Sequence, residues 1–332
     1  MLTVGLIGAG RIGRVHASTI VQDEGSQLVA VADSVDENAK NLAKLYKVNP
    51  RSVDAIFEDN SIEAILIASS TDTHSDFIEK ASKAGKAILC EKPVDLSLAR
   101  AKRCLENTKS NEHSIMMGFN RRFDPNFVAL KNALDKGEIG TAEMLSITSF
   151  DPAPPPIDYV KVSGGIFKDM MIHDFDMANF LYGDLPKSVF VSASAIIDKK
   201  IGALGDYDTA VATLKYRDGR LAVIKNSRRA TYGYDQRIEV LGSKGLLQVQ
   251  NMVENSMVKS TEMGVESSKP EYFFLERYKS AYQNEWTAFV TAVKTKTPMP
   301  VSLSDGIAAL AIAEAAAASA EMGSEVEIAN FL

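Results

Sequence analysis

Three short stretches carry residues whose type and spacing suit chemistry. The first is Gly8-Ala9-Gly10-Arg11-Ile12-Gly13, which follows an apolar run and opens a helical pattern. In that order Gly8 permits a tight turn, Gly10 lets the backbone approach a pyrophosphate, and Gly13 lets the helix pack closely on the strand. The helix N-terminus then faces the phosphates. Asp33 ends the next apolar run, 20 residues beyond Gly13. A carboxylate there accepts hydrogen bonds from ribose hydroxyls and repels a 2′-phosphate, which predicts NAD in preference to NADP. Ser34 leaves room for residual NADP use.

The second stretch is Cys90-Glu91-Lys92-Pro93, at the end of another apolar run. It places Lys92 at the mouth of a sheet, where a nicotinamide would lie, with a proline restricting its backbone. The third is Phe167 to Asp176, in which Asp169 and His173 are four residues apart and Asp176 three further on. On an α-helix all three share one face. A histidine flanked by carboxylates can act as a general base near neutral pH, as removal of a hydroxyl proton requires. The bland alternatives are a solvated polar face and a metal site. The other histidines, His16, His74 and His113, all fall in the first part of the chain, so no metal is expected. His74 follows the loop Ser69-Ser70-Thr71-Asp72-Thr73, where it either neighbours a helix cap or shapes the same crevice.

Elements of two kinds must position these groups. Through about residue 120 strand-like runs (3–7, 28–32, 64–68, 87–90, 115–117) alternate with helical segments such as 36–46, with Asp36 as its N-cap, and 75–84. That pattern predicts a doubly wound α/β domain with a parallel sheet and ligands beyond the strands' carboxyl ends. Beyond it, strands at 143–150, 188–197, 208–215, 220–227, 236–242 and 245–250 suit a mostly antiparallel open sheet in an α+β domain. Helices are expected at about 274–294 and 304–322. The boundaries read 1–120 and 121–332. Pro152-Ala153-Pro154-Pro155-Pro156 reads as a rigid surface loop.

Composition excludes several classes. A net charge of −6 over 332 residues, with no Lys/Arg cluster, argues against nucleic acid. Two cysteines, Cys90 and Cys104, make no disulfide framework, and a reduced, cytoplasmic setting is expected. No targeting segment is expected at the N-terminus. The alanine-rich 307–320 stretch reads as a buried helix too short for a membrane span.

With these residues assembled, the chain resembles the Gfo/Idh/MocA family of NAD(P)-dependent dehydrogenases over essentially its whole length. The glycine fingerprint, Glu91-Lys92-Pro93, the segment from Gly118 to Asp124, and the run holding Gly164-Gly165, Asp169 and His173 follow that family's order. Within the family the likeness is to inositol 2-dehydrogenases, through the segments 229–235 and 276–282. The resemblance implies Lys92, Asp169 and His173 as the catalytic set. It puts Arg121, Asp151, Asp176 and Tyr234 on the substrate side, and Gly8, Gly10, Arg11, Ile12, Asp33, Ser69, His74 and Glu91 with the cofactor. It further implies oxidation of a cyclic polyol, myo-inositol, by NAD in a homotetramer. Some members carry His-Arg-Asn where this chain has Ser149-Phe150-Asp151, so the polyol's stereochemistry stays open. Oxidation of another sugar, a noncatalytic NAD sensor and an NAD-dependent glycosidase are the alternatives.

Overall fold

The computed structural model describes all residues, 1–332, and its contacts divide them into two units. The first comprises 1–123 and 280–310, the second 124–279 and 311–332. In chain order the first holds β1 (Leu2–Ile7), α1 (Arg11–Gln22), β2 (Ser26–Ala32), α2 (Asp36–Tyr46), β3 (Asn49–Pro50) and α3 (Val53–Glu58). β4 (Ala64–Ile67), α4 (His74–Lys83), β5 (Ala87–Glu91), α5 (Leu98–Thr108) and β6 (Ile115–Gly118) complete its sheet. The strands run in the order β3-β2-β1-β4-β5-β6, all pairs parallel. Chain order therefore reverses between β1 and β4, the switch point at which open α/β sheets bind ligands. β4 (Ala-Ile-Leu-Ile) is buried throughout, as a parallel strand covered on both faces must be.

The second unit holds α6 (Pro125–Asp135), β7 (Ala142–Phe150), α7 (Ile157–Ser163), α8 (Ile172–Tyr182), β8 (Ser188–Ser194) and α9 (Lys199–Ala203). There follow β9 (Thr209–Lys215), β10 (Leu221–Ser227), β11 (Asp235–Gly242), β12 (Gly245–Val249), the exposed hairpin β13 (Val258–Thr261) and β14 (Gly264–Ser267), and α10 (Phe274–Arg277). α11 (Lys279–Thr295), α12 (Leu303–Met322) and β15 (Val326–Glu327) end the chain. The large sheet has the order β12-β11-β7-β10-β9-β8-β15. It is mixed: β7 and β10 are parallel and every other pair antiparallel. One face buries Leu145, Ile147, Ala212, Leu214, Ala222, Ile224, Ile238 and Val240. The other leaves Met144, Phe190, Val211, Leu221, Leu241 and Leu246 exposed.

Several local expectations change. Val35, not Asp36, is the N-cap of α2; Asp36 and Glu37 instead sit in its first turn, where carboxylates favour the helix dipole. The alanine-rich stretch belongs to a helix of 20 residues, long and apolar enough to cross a membrane. It is nonetheless a core helix: Leu303, Ala309 to Ala313, Ala315 and Ala316 are buried. Ser319 on it accepts from the Val191 N–H at 3.0 Å, and Glu314 pairs with Lys168 at 2.8 Å. The short helices α7 and α9 and the hairpin were not read from the sequence.

Candidate active site

In the first unit the glycine loop is held by sterics and by Asp33. Gly8 has φ +101, and a Cβ there would lie 2.3 Å from the Ala68 carbonyl oxygen; a Cβ on Gly13 would lie 1.9 Å from that of Gly8. Neither position admits a side chain. Around Gly10, by contrast, a Cβ would meet nothing within 4 Å. Gly10 is also the N-cap of α1, whose first turn carries neither a capping side chain nor an acidic residue. The helix thus opens on backbone N–H groups beside empty space, and these residues fit a dinucleotide's pyrophosphate. The Asp33 carboxylate accepts from the Ala9 N–H at 2.6 Å and the Val35 N–H at 2.8 Å. It therefore braces the loop while standing half-exposed at the β2 terminus.

His74 does more than neighbour a cap. It is buried at the start of α4, with Nδ1 2.8 Å from the Pro93 carbonyl oxygen and Nε2 3.2 Å from that of Ser69. It ties the loop after β4 to the turn after β5. Burial pushes its pKa down, against the two carbonyl contacts that raise it. Ser69 is fixed in turn by a 2.7 Å hydroxyl contact with Thr73. Lys92, half-buried, is the first residue past β5 and is joined to Pro93 by a cis peptide bond. Arg121 is buried in the turn after β6.

In the second unit the 169–176 segment differs from a plain α-helix. Residues Phe167–Met171 form a π-helical turn that runs into α8. The extra residue in the turn shifts Asp169 from the α-helical register assumed for it relative to His173 and Asp176, which both lie in α8. Such insertions recur at functional sites, and nothing in the hydrophobic period announces one. Asp174, next to His173 in sequence, is fully buried. It accepts from Ser149 Oγ at 2.6 Å and Asn226 Nδ2 at 2.8 Å. Those residues lie near the ends of β7 and β10, so Asp174 pins the start of α8 over the ends of two parallel strands.

The same end of the sheet gathers the remaining groups. Asp151 follows β7; its N–H donates to Ser227 at 2.9 Å and its carbonyl accepts from Ala230 at 2.6 Å. Tyr234 precedes β11 and packs edge-on between Phe273 and Tyr278. Arg228, just past β10, reaches Asp169 Oδ2 with both terminal nitrogens, at 3.4 and 3.5 Å. Tyr159 on α7 donates to Asp169 Oδ1 at 2.8 Å. Asp176 is buried and His173 half-buried. Sequence reasoning missed Arg228 and Tyr159. Arg228 stood one residue outside the segment that drew attention, and Tyr159 followed a proline run read as surface loop.

A parallel 3-2-1-4-5-6 sheet with a glycine-rich helix start, and a mixed-sheet unit bearing an aspartate and a histidine over its strand ends, define a dehydrogenase of the two-domain NAD-binding class. Residues 2–119 match the family profile described as oxidoreductase family, NAD-binding Rossmann fold, and residues 127–248 that of the GFO/IDH/MocA C-terminal domain. The chain belongs to the GFO/IDH/MocA oxidoreductase family. It is 48% identical over 325 residues to an inositol 2-dehydrogenase of Rhizobium meliloti, covering 98% of each chain. It is 44% identical over 329 residues to a myo-inositol 2-dehydrogenase of Thermotoga maritima, again covering 98% of each. The crystal structure of a myo-inositol dehydrogenase from Corynebacterium glutamicum superposes with a TM-score of 0.95 at 40% identity, covering 98% of both chains.

Proposed function

We propose that this protein oxidises a secondary hydroxyl of myo-inositol to the ketone, 2-keto-myo-inositol, with NAD as hydride acceptor. The observation that carries the reading is the joint presence of an NAD-binding fingerprint closed by Asp33 and an Asp169 carboxylate held by Tyr159 and Arg228 four residues before His173, in a chain so similar to inositol 2-dehydrogenases.

NAD supplies the hydride acceptor, and the protein's residues do the rest. Gly8, Gly10, Arg11 and Ile12 line the pyrophosphate site, Asp33 takes the ribose hydroxyls, and Ser69, His74 and Glu91 shape the crevice. Lys92 hydrogen-bonds the reacting oxygen and favours its developing negative charge. His173 takes the hydroxyl proton, and the Asp169 carboxylate favours its protonated form. Tyr159 and Arg228 hold Asp169 from two sides and keep its carboxylate oriented. Arg121, Asp151, Asp176 and Tyr234 hold the other hydroxyls. In this reading 1–120 is the NAD domain and the rest of the chain to 332 the substrate and oligomerisation domain, except 280–310, which the contacts group with the first unit.

The exposed face of the large sheet presents Met144, Phe190, Val211, Leu221, Leu241 and Leu246 on alternating positions of neighbouring strands. Such a patch on an otherwise charged surface is a site to be covered, which supports a homotetramer formed through this face. Two free, buried cysteines accord with a cytoplasmic setting.

The test is NADH formation from a panel of myo-inositol, scyllo-inositol and common aldoses, with aryl glycosides as a further arm. Myo-inositol should give the highest kcat/KM. Faster turnover of an aldose would move the assignment to another sugar, release of aryl alcohol would make the protein a glycosidase, and NAD binding without turnover would make it a sensor.

A further inference from the structure

Residues 195–208 join β8 to β9, and the last three of them meet the elements that hold Asp169. Asp208 is fully buried. Its carboxylate accepts from the Ile196, Ile197 and Asp198 N–H groups at 3.0, 2.8 and 2.9 Å and from Thr209 Oγ1 at 3.0 Å, so the connection is folded back on its own end. The Asp208 carbonyl accepts from the Arg228 N–H at 2.8 Å, which carries the β9–β10 pairing one step beyond Thr209 and Ser227. Arg228 is the residue whose guanidinium reaches Asp169. Tyr207 packs its ring against that of Phe167, the first residue of the π turn, with centroids 5.9 Å apart.

Asp206 touches the start of that turn directly. Its Oδ1 accepts at 2.9 Å from the N–H of Ile166, the residue before the π turn and three before Asp169. The first N–H groups of a helix have no partner within it, and a side-chain oxygen that takes one fixes where the helix begins. Here the oxygen comes from 40 residues further along the chain, since no side chain caps the turn locally. Gly165, at φ +82, leaves room for it: a Cβ there would lie 2.7 Å from the same Oδ1. Asp206 Oδ2 is buried without a hydrogen-bond partner, which is unfavourable in itself. The side chain's hydrogen bond thus goes to the π turn. Because that turn holds an extra residue, the place where it begins decides the direction in which Asp169 leaves it.

We propose that Asp206 is a positioning residue for the oxidation: its carboxylate fixes the start of the π turn and, through that turn, the place of the Asp169 carboxylate between Tyr159 and Arg228. The proposal rests on the reading of Asp169 given above. Asp208 serves the same end from the other side, since the strand pairing that its carbonyl extends sets the backbone of Arg228. Both supports of Asp169 on this side therefore come from one short connection.

A double-mutant cycle on the full-length protein tests this, with kcat for myo-inositol, the Kd for NAD and Tm measured for each variant. Asp206→Ala loses the acceptor for Ile166 and should lower kcat by about tenfold, the loss of one good hydrogen bond, with the Kd for NAD unchanged. Asp206→Ser, whose hydroxyl falls one bond short of the Ile166 N–H, should do the same with a polar side chain in place. Asparagine keeps one carbonyl oxygen for that N–H, so Asp206→Asn should stay within about threefold of wild type. If Asp206 acts through Asp169 the two are coupled: in an Asp169→Asn background Asp206→Ala or Asp206→Ser should cost less than about twofold in kcat, while lowering Tm as much as before. A tenfold loss that persists in that background, equal losses in Asp206→Asn and Asp206→Ala, or wild-type kcat in both Asp206→Ala and Asp206→Ser would each overturn the proposal. Failure of the underlying reading looks different: Asp169→Asn alone would then turn over at the wild-type rate, and the proposal would fall with it.

Discussion

Asp33→Asn separates the two roles of one carboxylate. Asp33 uses Oδ2 for the Ala9 N–H at 2.6 Å and Oδ1 for the Val35 N–H at 2.8 Å. Asparagine has one carbonyl oxygen, so one of these donors must face an NH2 group. It also loses the charge that would receive ribose hydroxyls. A hydrogen bond to a charged acceptor contributes about 1.5–3 kcal/mol, which is roughly 10- to 150-fold in kcat/KM for NAD. For NADP the same change removes repulsion of the 2′-phosphate, so the NAD:NADP ratio of kcat/KM should fall by more than the NAD value alone. Asp33→Ala, which loses both backbone bonds, should lower the cofactor-free Tm further than Asp33→Asn. The assay is kcat/KM with both cofactors beside thermal unfolding without either. A lowered Tm with an unchanged cofactor ratio would refute the ribose role and leave Asp33 a loop brace only.

Gly10→Ala should leave the cofactor-free Tm where it is, since its Cβ enters open space, yet raise the Kd for NAD by about tenfold or more by standing where the pyrophosphate must approach. Gly13→Ala, with its Cβ driven onto the Gly8 carbonyl, should lower both Tm and affinity; a calorimetric titration and a melt of each variant check the contrast. Tyr159→Phe and Arg228→Met each remove a donor to Asp169 and should lower kcat by about tenfold, the loss of one good hydrogen bond, without changing the Kd for NAD. Wild-type kcat in both variants would show that Asp169 needs no such support. His74, neutral in the fold because burial lowers its pKa, should make stability depend on acid pH. Between its folded pKa and about 6.5 the unfolded chain holds a proton that the folded chain lacks, so stability is full above that window and falls as pH drops through it. Urea midpoints measured from pH 7 to 5 should fall less steeply in His74→Gln than in wild type.

What the sequence made legible was whatever depends on local periodicity. The five longer strands of the parallel sheet and the glycine turn follow from apolar runs ending in turn residues, and their parallel pairing follows from the alternation of strand and helix, whereas the order β3-β2-β1-β4-β5-β6 does not, since other doubly wound orders share that alternation. Asp36–Tyr46 came out with its observed span although its cap did not, because a valine in extended conformation can precede a helix without announcing itself. The parallel β7–β10 pair is a long-range choice that hairpin-like spacing conceals. The grouping of 280–310 with the first unit is another, set by pairs such as Trp286 Nε1 with Ser26 Oγ at 2.8 Å, residues far apart in the chain. In the candidate site Asp33 and His74 could be placed from their positions at element ends, and Asp169 and His173 were singled out by their spacing. The π turn, the Arg228 and Tyr159 contacts and the Asp174 pin were not, since each depends on backbone geometry or on partners brought in by the sheet.

In the proposed mechanism His173 takes the proton that leaves as hydride is removed from myo-inositol. The most direct measurement is kcat of His173→Ala with saturating myo-inositol and NAD at neutral pH, with the Kd for NAD measured on the same preparation. Loss of a positioned general base should lower kcat by about 10²- to 10⁴-fold while NAD affinity stays at the wild-type value. Near-normal turnover with NAD affinity intact would contradict the account.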